Sequence, residues 1–112
     1  MQPPELWPND ADGDVLRKLA KRGLDFGKEY SVDFNVDFTS WPPHPDALTW
    51  ITTSYPTAVV VPPDEGGLGY VQFKLKSRLS YEFVVNAQAR ATAALAKCDG
   101  VCESWGILLP QA

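Results

Sequence analysis

The alternation of apolar and polar side chains over residues 32–38 limits the fold more than any other feature of this chain. Valine or phenylalanine occupies every second position, and Asp33, Asn35 and Asp37 occupy the positions between them. Because successive side chains of a β-strand point to opposite sides, this pattern predicts a strand with one buried face and one wet face. Such a strand needs a sheet whose apolar side is covered by other elements.

Three further segments are predicted to be strands. Residues 70–76 alternate again, with Val71, Phe73 and Leu75 on the inner side. Residues 57–61 and 101–109 are the other two candidates, and each is followed by proline, which cannot donate a backbone N–H to a sheet. The Asp-Glu-Gly-Gly sequence at 64–67 predicts the turn that joins the second and third strands.

Three helices are predicted, over residues 12–22, 46–54 and about 80–97. Aspartates precede the first helix, and Lys21 and Arg22 end it before Gly23, so its charges match the helix dipole. Pro45 suits the first turn of the second helix, and Ser80 can cap the third. The small alanine side chains of the third helix favour close packing on a sheet.

The order is therefore a helix followed by β-α-β-β-α-β, which is the order of the ferredoxin-like split βαβ motif. We predict an α+β, ferredoxin-like antiparallel sheet with helices on one face and an additional N-terminal helix. The first and third strands should lie side by side in the centre of the sheet. Residues 1–9 contain three prolines and are predicted to be an extended arm, which leaves 10–112 as a single domain.

Composition excludes several classes of protein. A chain of 112 residues supports one domain with one core. The formal net charge of −4 argues against direct nucleic-acid binding, which needs clustered basic charge. No apolar run approaches the roughly 20 residues that a membrane-spanning helix needs, and the start does not resemble a secretory signal. A cytoplasmic location and no membrane partner are therefore expected.

The acidic residues at 10–14 resemble the start of a calcium-binding loop. The resemblance fails at the sixth position, which should be glycine and is Val15, and at the twelfth, which should be glutamate and is Lys21. Helix capping explains these aspartates better, so no calcium site is predicted.

No arrangement typical of catalysis or of a structural metal site is present. His44 is the only histidine, it lies between two prolines, and no nucleophile motif accompanies it. Cys98 and Cys102 are too few for a zinc site even with His44, and they are predicted to be free thiols. We therefore expect no enzyme activity, no metal and no cofactor.

The polar side of the two central strands is the most informative surface. In the predicted topology the polar row of the first strand lies beside Gln72, Lys74 and Lys76 of the third. Cross-strand pairs between aspartate and lysine are expected there, each worth a fraction of a kcal/mol. Two interpretations stay open, namely a solvated surface and a protein-binding face of mixed charge.

Three stretches of the chain resemble the bacterial family of regulators of ribonuclease E activity, type B. They are residues 9–19 with 23–26, residues 32–34, and the Cys-Glu-Ser-Trp-Gly sequence at 102–106, which is similar to the family's Tyr-Asp-Gly-Trp-Gly. The resemblance implies a ferredoxin-like domain that binds the endoribonuclease and lowers its activity without catalysis. The oligomeric state is not predicted.

Five residues are candidates for contact with a partner. They are Asp33, Asn35, Asp37, Glu103 and Trp105. For Trp105 there are two interpretations, because an indole in a final strand can either contact a partner or fill the core beneath the third helix.

A second hypothesis is a small-ligand-binding or enzymatic ferredoxin-like domain, assembled as a dimer. Its pocket would be lined by Trp41, His44, Trp50 and Tyr55. A concave site that holds His44 beside a second titratable group would distinguish this hypothesis from the first.

Overall fold

The computed structural model describes residues 7–65 and 67–107. In this part of the chain there are three α-helices and four β-strands. In chain order they are α1 (Ala11–Lys21), β1 (Glu29–Phe38), α2 (Pro45–Ser54), β2 (Val59–Val61), β3 (Tyr70–Arg78), α3 (Tyr81–Leu95) and β4 (Gly100–Ile107). A short 3-10 turn, Ala96–Cys98, joins α3 to β4.

The four strands form one antiparallel sheet in the order β2-β3-β1-β4. Asp33 of β1 lies opposite Lys74 of β3, so the first and third strands are neighbours in the centre, as the sequence predicted. On its other side β1 pairs with β4, where Asn35 lies opposite Ser104. The fold is therefore α+β with a four-stranded antiparallel sheet.

One side of this sheet, which we call the covered face, packs beneath the helices. Phe34 of β1 and Phe73 of β3 are fully buried there, with ring centroids 5.3 Å apart. Tyr55, which follows α2, stacks on Phe73 at 3.9 Å. Aromatic burial of this kind contributes a large share of a small domain's core.

Helix α1 is attached to the domain by apolar and polar contacts. The Oδ1 atom of Asp10 caps it by accepting a hydrogen bond from the Gly13 N–H at 2.8 Å. Leu16 and Leu19 are buried in the common core. The helix is thus part of the domain rather than a detached arm.

Several element boundaries differ from the sequence-based expectation. β1 begins at Glu29 rather than at residue 32, because its first residues pair with the end of β3. β2 begins at Val59 because the Ala58 N–H donates to the Tyr55 carbonyl at 2.9 Å and holds the preceding residues in a turn. α3 ends at Leu95, where the 3-10 turn begins.

Parts of two predictions lie outside the described residues. These parts are residues 1–6 of the predicted arm and residues 108 and 109 of the predicted last strand. Trp7 of the same arm is described, is 6% exposed, and packs against Phe26 at a ring distance of 5.6 Å. The division into an arm and a domain stays a prediction.

Within the described ranges, no helix combines the length and the apolar character needed to cross a membrane.

Candidate functional site

The side of the sheet that faces away from the helices, which we call the open face, carries most of the predicted site residues. Side chains of paired strands that lie opposite one another share a face, so the register assigns its members. They are Glu29, Ser31, Asp33, Asn35 and Asp37 of β1, Val59 and Val61 of β2, Tyr70, Gln72, Lys74, Lys76 and Arg78 of β3, and Val101, Ser104 and Gly106 of β4. All of them are exposed or half-buried, so no other described segment covers this face.

A row of neutral hydrogen bonds crosses the middle of the open face. The Gln72 side-chain Nε2 donates to Asn35 Oδ1 at 3.0 Å. The Asn35 Nδ2 in turn donates to Ser104 Oγ at 3.3 Å. These contacts link β3, β1 and β4 and fix the position of Asn35 without adding charge.

One of the two aspartates on this face is paired. The Lys74 ammonium donates to Asp33 Oδ1 at 2.5 Å, which confirms the expected cross-strand pair. The pair is solvent-exposed enough to contribute at most about 1 kcal/mol. With Glu29, Asp33 and Asp37 set against Lys74, Lys76 and Arg78, the open face carries no net formal charge, although its β1 row alone is acidic.

Asp37 differs from Asp33 in having no hydrogen bond or ion pair to another described residue. It is exposed and lies between Tyr70 of β3 and Val101 of β4. The other charges of this face that form no ion pair with a described residue, Glu29, Lys76 and Arg78, lie at its far end, and Lys76 stands six positions from Tyr70 along β3. At 3.3 Å per residue the two ends are about 20 Å apart. The open face therefore has a negative end and a positive end.

The structure does not place Glu103 and Trp105 together on the open face. Glu103 is exposed at the point where the pairing of β1 and β4 shifts register, and it lines a groove of about 350 Å³ with Asp10 and Asp12. Trp105 lies on the covered face, opposite Phe34, and is 9% exposed. Its burial favours the interpretation in which the indole fills the core.

The contacts of Trp105 belong to a polar cluster that the sequence did not reveal. Asp12 Oδ1 accepts from the Trp105 indole Nε1 at 2.8 Å and from Gln88 Nε2 at 3.1 Å. The Tyr81 hydroxyl donates to Asp10 Oδ2 at 2.6 Å. Together these contacts fasten the N-terminus of α1 to α3 and β4.

The same cluster shifts two pKa values. The hydrogen bond from Tyr81, followed by that from the Gly13 N–H, lowers the pKa of Asp10. The hydrogen bond between Tyr81 and Asp10 also raises the pKa of Tyr81, because it stabilises the protonated phenol beside a carboxylate. Tyr81 and Gln88 are seven residues apart and so lie on one side of α3, a spacing from which this cluster could have been suspected.

None of the three grooves described gathers all four residues of the second hypothesis, although the Trp50 and Tyr55 rings are in edge-to-face contact at 5.6 Å. The His44 side chain is 60% exposed, and its Nδ1 accepts from the Asp46 N–H at 3.0 Å, so it caps α2. Neither His44 nor Trp50 lines any of three surface grooves of the described chain, and Tyr55 alone lines one, of about 290 Å³. Trp41 instead packs over Gly69, where an added Cβ would lie 2.7 Å from its ring.

The two cysteines are free thiols, as predicted. Cys102 is 3% exposed, and burial raises its pKa to about 12, with a smaller contribution from the charges of Asp37 and Asp12. A thiol of this kind is almost fully protonated at neutral pH and is a poor nucleophile. Among the described residues, no three histidine, cysteine or acidic side chains are grouped so that they could hold a metal ion.

The topology is that of a small α+β domain with one polar sheet face that no described segment covers. Comparison with protein families gives a match to the family described as regulator of ribonuclease activity B, over residues 9–107. The chain belongs to this family. No curated protein gives a significant match to its sequence.

Proposed function

We propose that this protein is a non-catalytic regulator that binds an endoribonuclease and lowers its activity, with ribonuclease E as the candidate partner. The observation that carries the proposal is the family match, which spans all three helices and all four strands. As part of the same proposal, we assign the fold to the ferredoxin-like group, supported by the antiparallel order β2-β3-β1-β4, and we place the protein in the cytoplasm with its RNA-processing partner.

The chemistry of the described residues supports regulation by contact rather than by catalysis. His44 is exposed and occupied by helix capping. Cys102 is buried and protonated. The acid beside His44, Asp46 at 3.8 Å, is itself exposed, and Cys102 is buried away from His44, so the described residues do not pair a nucleophile with a base.

The proposed binding surface is the open face, with Asp33, Asn35 and Asp37 in contact with the partner and Glu103 at its margin. In this proposal Trp105 does not contact the partner, and its hydrogen bond to Asp12 holds β4 in place. An enzyme that cleaves RNA needs a basic surface for its substrate, so a surface that presents carboxylates can dock there and compete with RNA. Association should then weaken as salt rises, since steering between opposite charges is screened.

The proposal is tested by measuring binding of the purified protein to ribonuclease E and the rate at which that enzyme cleaves an RNA substrate. We expect saturable binding, slower cleavage, and weaker binding between low and high salt. The double variant Asp33→Lys with Asp37→Lys should lose most of the binding. A matched control, Asp46→Lys with Glu82→Lys, makes the same charge change on exposed helix positions and should bind as wild type.

Circular dichroism must show that both double variants are folded. If wild-type protein neither binds nor slows the enzyme, the proposed function is wrong. If binding is unchanged by salt and by the double variant on the open face, the proposed surface is wrong.

A further inference from the structure

Exposed apolar side chains gather at the Asp37 end of the open face. Val59 is 52% exposed and Val101 is 38% exposed. Tyr70 lies between Val61 and Asp37 in the register, and Asp37 lies between Tyr70 and Val101. Val59 lies in the neighbouring row, opposite Gln72, on the same edge strand as Val61. We call Val59, Val61, Tyr70 and Val101 the valine rim.

Among the described residues, none forms an ion pair with the carboxylate inside this rim. Lys74 is engaged by Asp33, four residues from Asp37 along β1. Lys76 lies at the opposite end of the face, about 20 Å distant at the usual rise of a strand. An ion pair formed at Asp37 by a partner would be flanked by apolar side chains that exclude water, and it would therefore be stronger than a fully exposed pair.

We propose that the valine rim and Asp37 form a docking site for a protein segment in which an arginine or lysine is flanked by apolar side chains. The cation pairs with Asp37, and its apolar neighbours pack on Val59 and Val101. Arginine suits the site better than lysine, because a guanidinium can pair with the carboxylate through two hydrogen bonds and stack on the Tyr70 ring.

This inference rests on the proposed function only for the identity of the natural partner. The charge and the exposed valines would select against an acidic segment, which Asp37 repels, and against a basic segment without apolar neighbours, which leaves the valines in water. A contact of this size is small, so weak affinity for an isolated peptide is expected.

The direct test uses an acetylated and amidated peptide with a central arginine flanked on each side by valine and leucine. Chemical shifts of the ¹⁵N-labelled protein are followed as the peptide is added. We expect the largest changes at Asp37, Val59, Tyr70 and Val101. Replacing the central arginine with glutamate, or the apolar flanks with serine, should abolish these changes.

The strand β2 offers a matched pair of variants. Val59 and Val60 are similarly exposed, at 52% and 45%, but they point to opposite sides of the sheet. Val59→Ser and Asp37→Asn should each weaken peptide binding about fivefold, which is the effect of losing roughly 1 kcal/mol. Val60→Ser and Asp46→Asn should leave it within about twofold.

Absence of shift changes up to millimolar peptide, changes centred elsewhere, or equal losses for Val60→Ser and Val59→Ser would each overturn the proposal. Measuring the same variants in the ribonuclease E binding assay distinguishes a failure of this docking site from a failure of the proposed function. Wild-type binding to ribonuclease E that is unaffected by Asp37→Asn and Val59→Ser would refute this site and leave the function standing. Peptide binding at the rim without any ribonuclease binding would refute the function and leave the site standing.

Discussion

The two faces of the sheet are built from alternate residues of the same strands, yet they are held by different forces. In β1, Phe34 is fully buried on the covered face and stacks on Phe73. Its neighbour Asn35 is half-buried on the open face and is held by hydrogen bonds to Gln72 and Ser104. The apolar contacts of Phe34 exist only in the folded core, whereas water can replace each hydrogen bond of Asn35.

This difference separates stability from recognition within one strand. The covered face commits its side chains to the core and presents nothing to a partner. The open face has polar and apolar groups whose present contacts are weak, so a partner can displace them at little cost. Substitutions on the covered face should therefore change folding, and substitutions on the open face should change binding.

The largest effect is expected in the reactivity of the Cys102 thiol on the covered face, compared between the native and the unfolded protein. At pH 8, a Cys102 pKa of about 12 leaves only about one thiolate in ten thousand, and burial restricts access further. Alkylation of Cys102 should be at least about a thousandfold slower in the native protein than in urea, as measured by mass spectrometry of the labelled peptide. Comparable native and unfolded rates would show that the covered face is open to solvent.

The same raised pKa sets the sign of a pH effect. The folded state keeps the Cys102 proton more tightly than the unfolded state, so this group supports stability fully below about pH 9. Its contribution should be lost as the pH rises from 9 towards 12, and the free energy of unfolding should fall in that range. A Cys102→Ala variant should show a shallower alkaline decline in urea titrations. An unchanged decline would mean that ionisation of this thiol is not its cause.

Neighbouring truncations in β1 should differ by several kcal/mol. Phe34→Ala removes a fully buried ring and should lower the free energy of unfolding by about 3–5 kcal/mol. Asn35→Ala removes two exchangeable hydrogen bonds at a half-buried site and should cost about 1 kcal/mol or less. Urea denaturation followed by circular dichroism measures both values, and similar costs would erase the distinction between the faces.

An intermediate loss of unfolding free energy is expected for one of two neighbouring residues in β4, Trp105 and Ser104. Trp105→Phe keeps most of the buried ring but removes the indole donor to Asp12, which should cost about 2 kcal/mol. Ser104→Ala, on the open face, should cost less than about 0.5 kcal/mol. A Trp105→Phe variant as stable as wild type would show that the bond to Asp12 contributes little to the attachment of α1.

The smallest effect concerns the ion pair of the open face. A double-mutant cycle with Asp33→Asn and Lys74→Gln should give a coupling free energy of about 0.2–1 kcal/mol that shrinks with added salt. A larger, salt-independent coupling would mean that the pair is shielded from water and that the face is less open than the structure indicates.

The sequence predicted the two faces because alternation over residues 32–38 is sufficient to sort side chains between them. It also predicted the pair of Asp33 and Lys74, since the expected order made the two polar rows adjacent. It could not separate Glu103 from Trp105, because strict alternation puts both on one side. The register shift beside Glu103 breaks that alternation and turns Cys102 and Trp105 to the covered face together.

The sequence did not predict the valine rim either, for a different reason. Val59, Tyr70 and Val101 come from three strands, and only the pairing register brings them to the Asp37 end of the open face. The sequence also did not indicate that Trp41 packs over Gly69, a close approach that depends on the missing side chain of that glycine. Contacts between distant segments of this kind leave no periodic signal in the sequence.

The central claim is that the open face is the surface that meets the ribonuclease. Carbodiimide labelling of carboxylates, read by mass spectrometry with and without ribonuclease E, tests it directly at individual residues. Asp37 should be strongly protected in the complex and Asp33 partly protected, while Asp46, exposed at the start of α2, should be labelled equally in both samples. Protection of Asp46 with unchanged labelling of Asp37 would place the partner on the helices and contradict the claim.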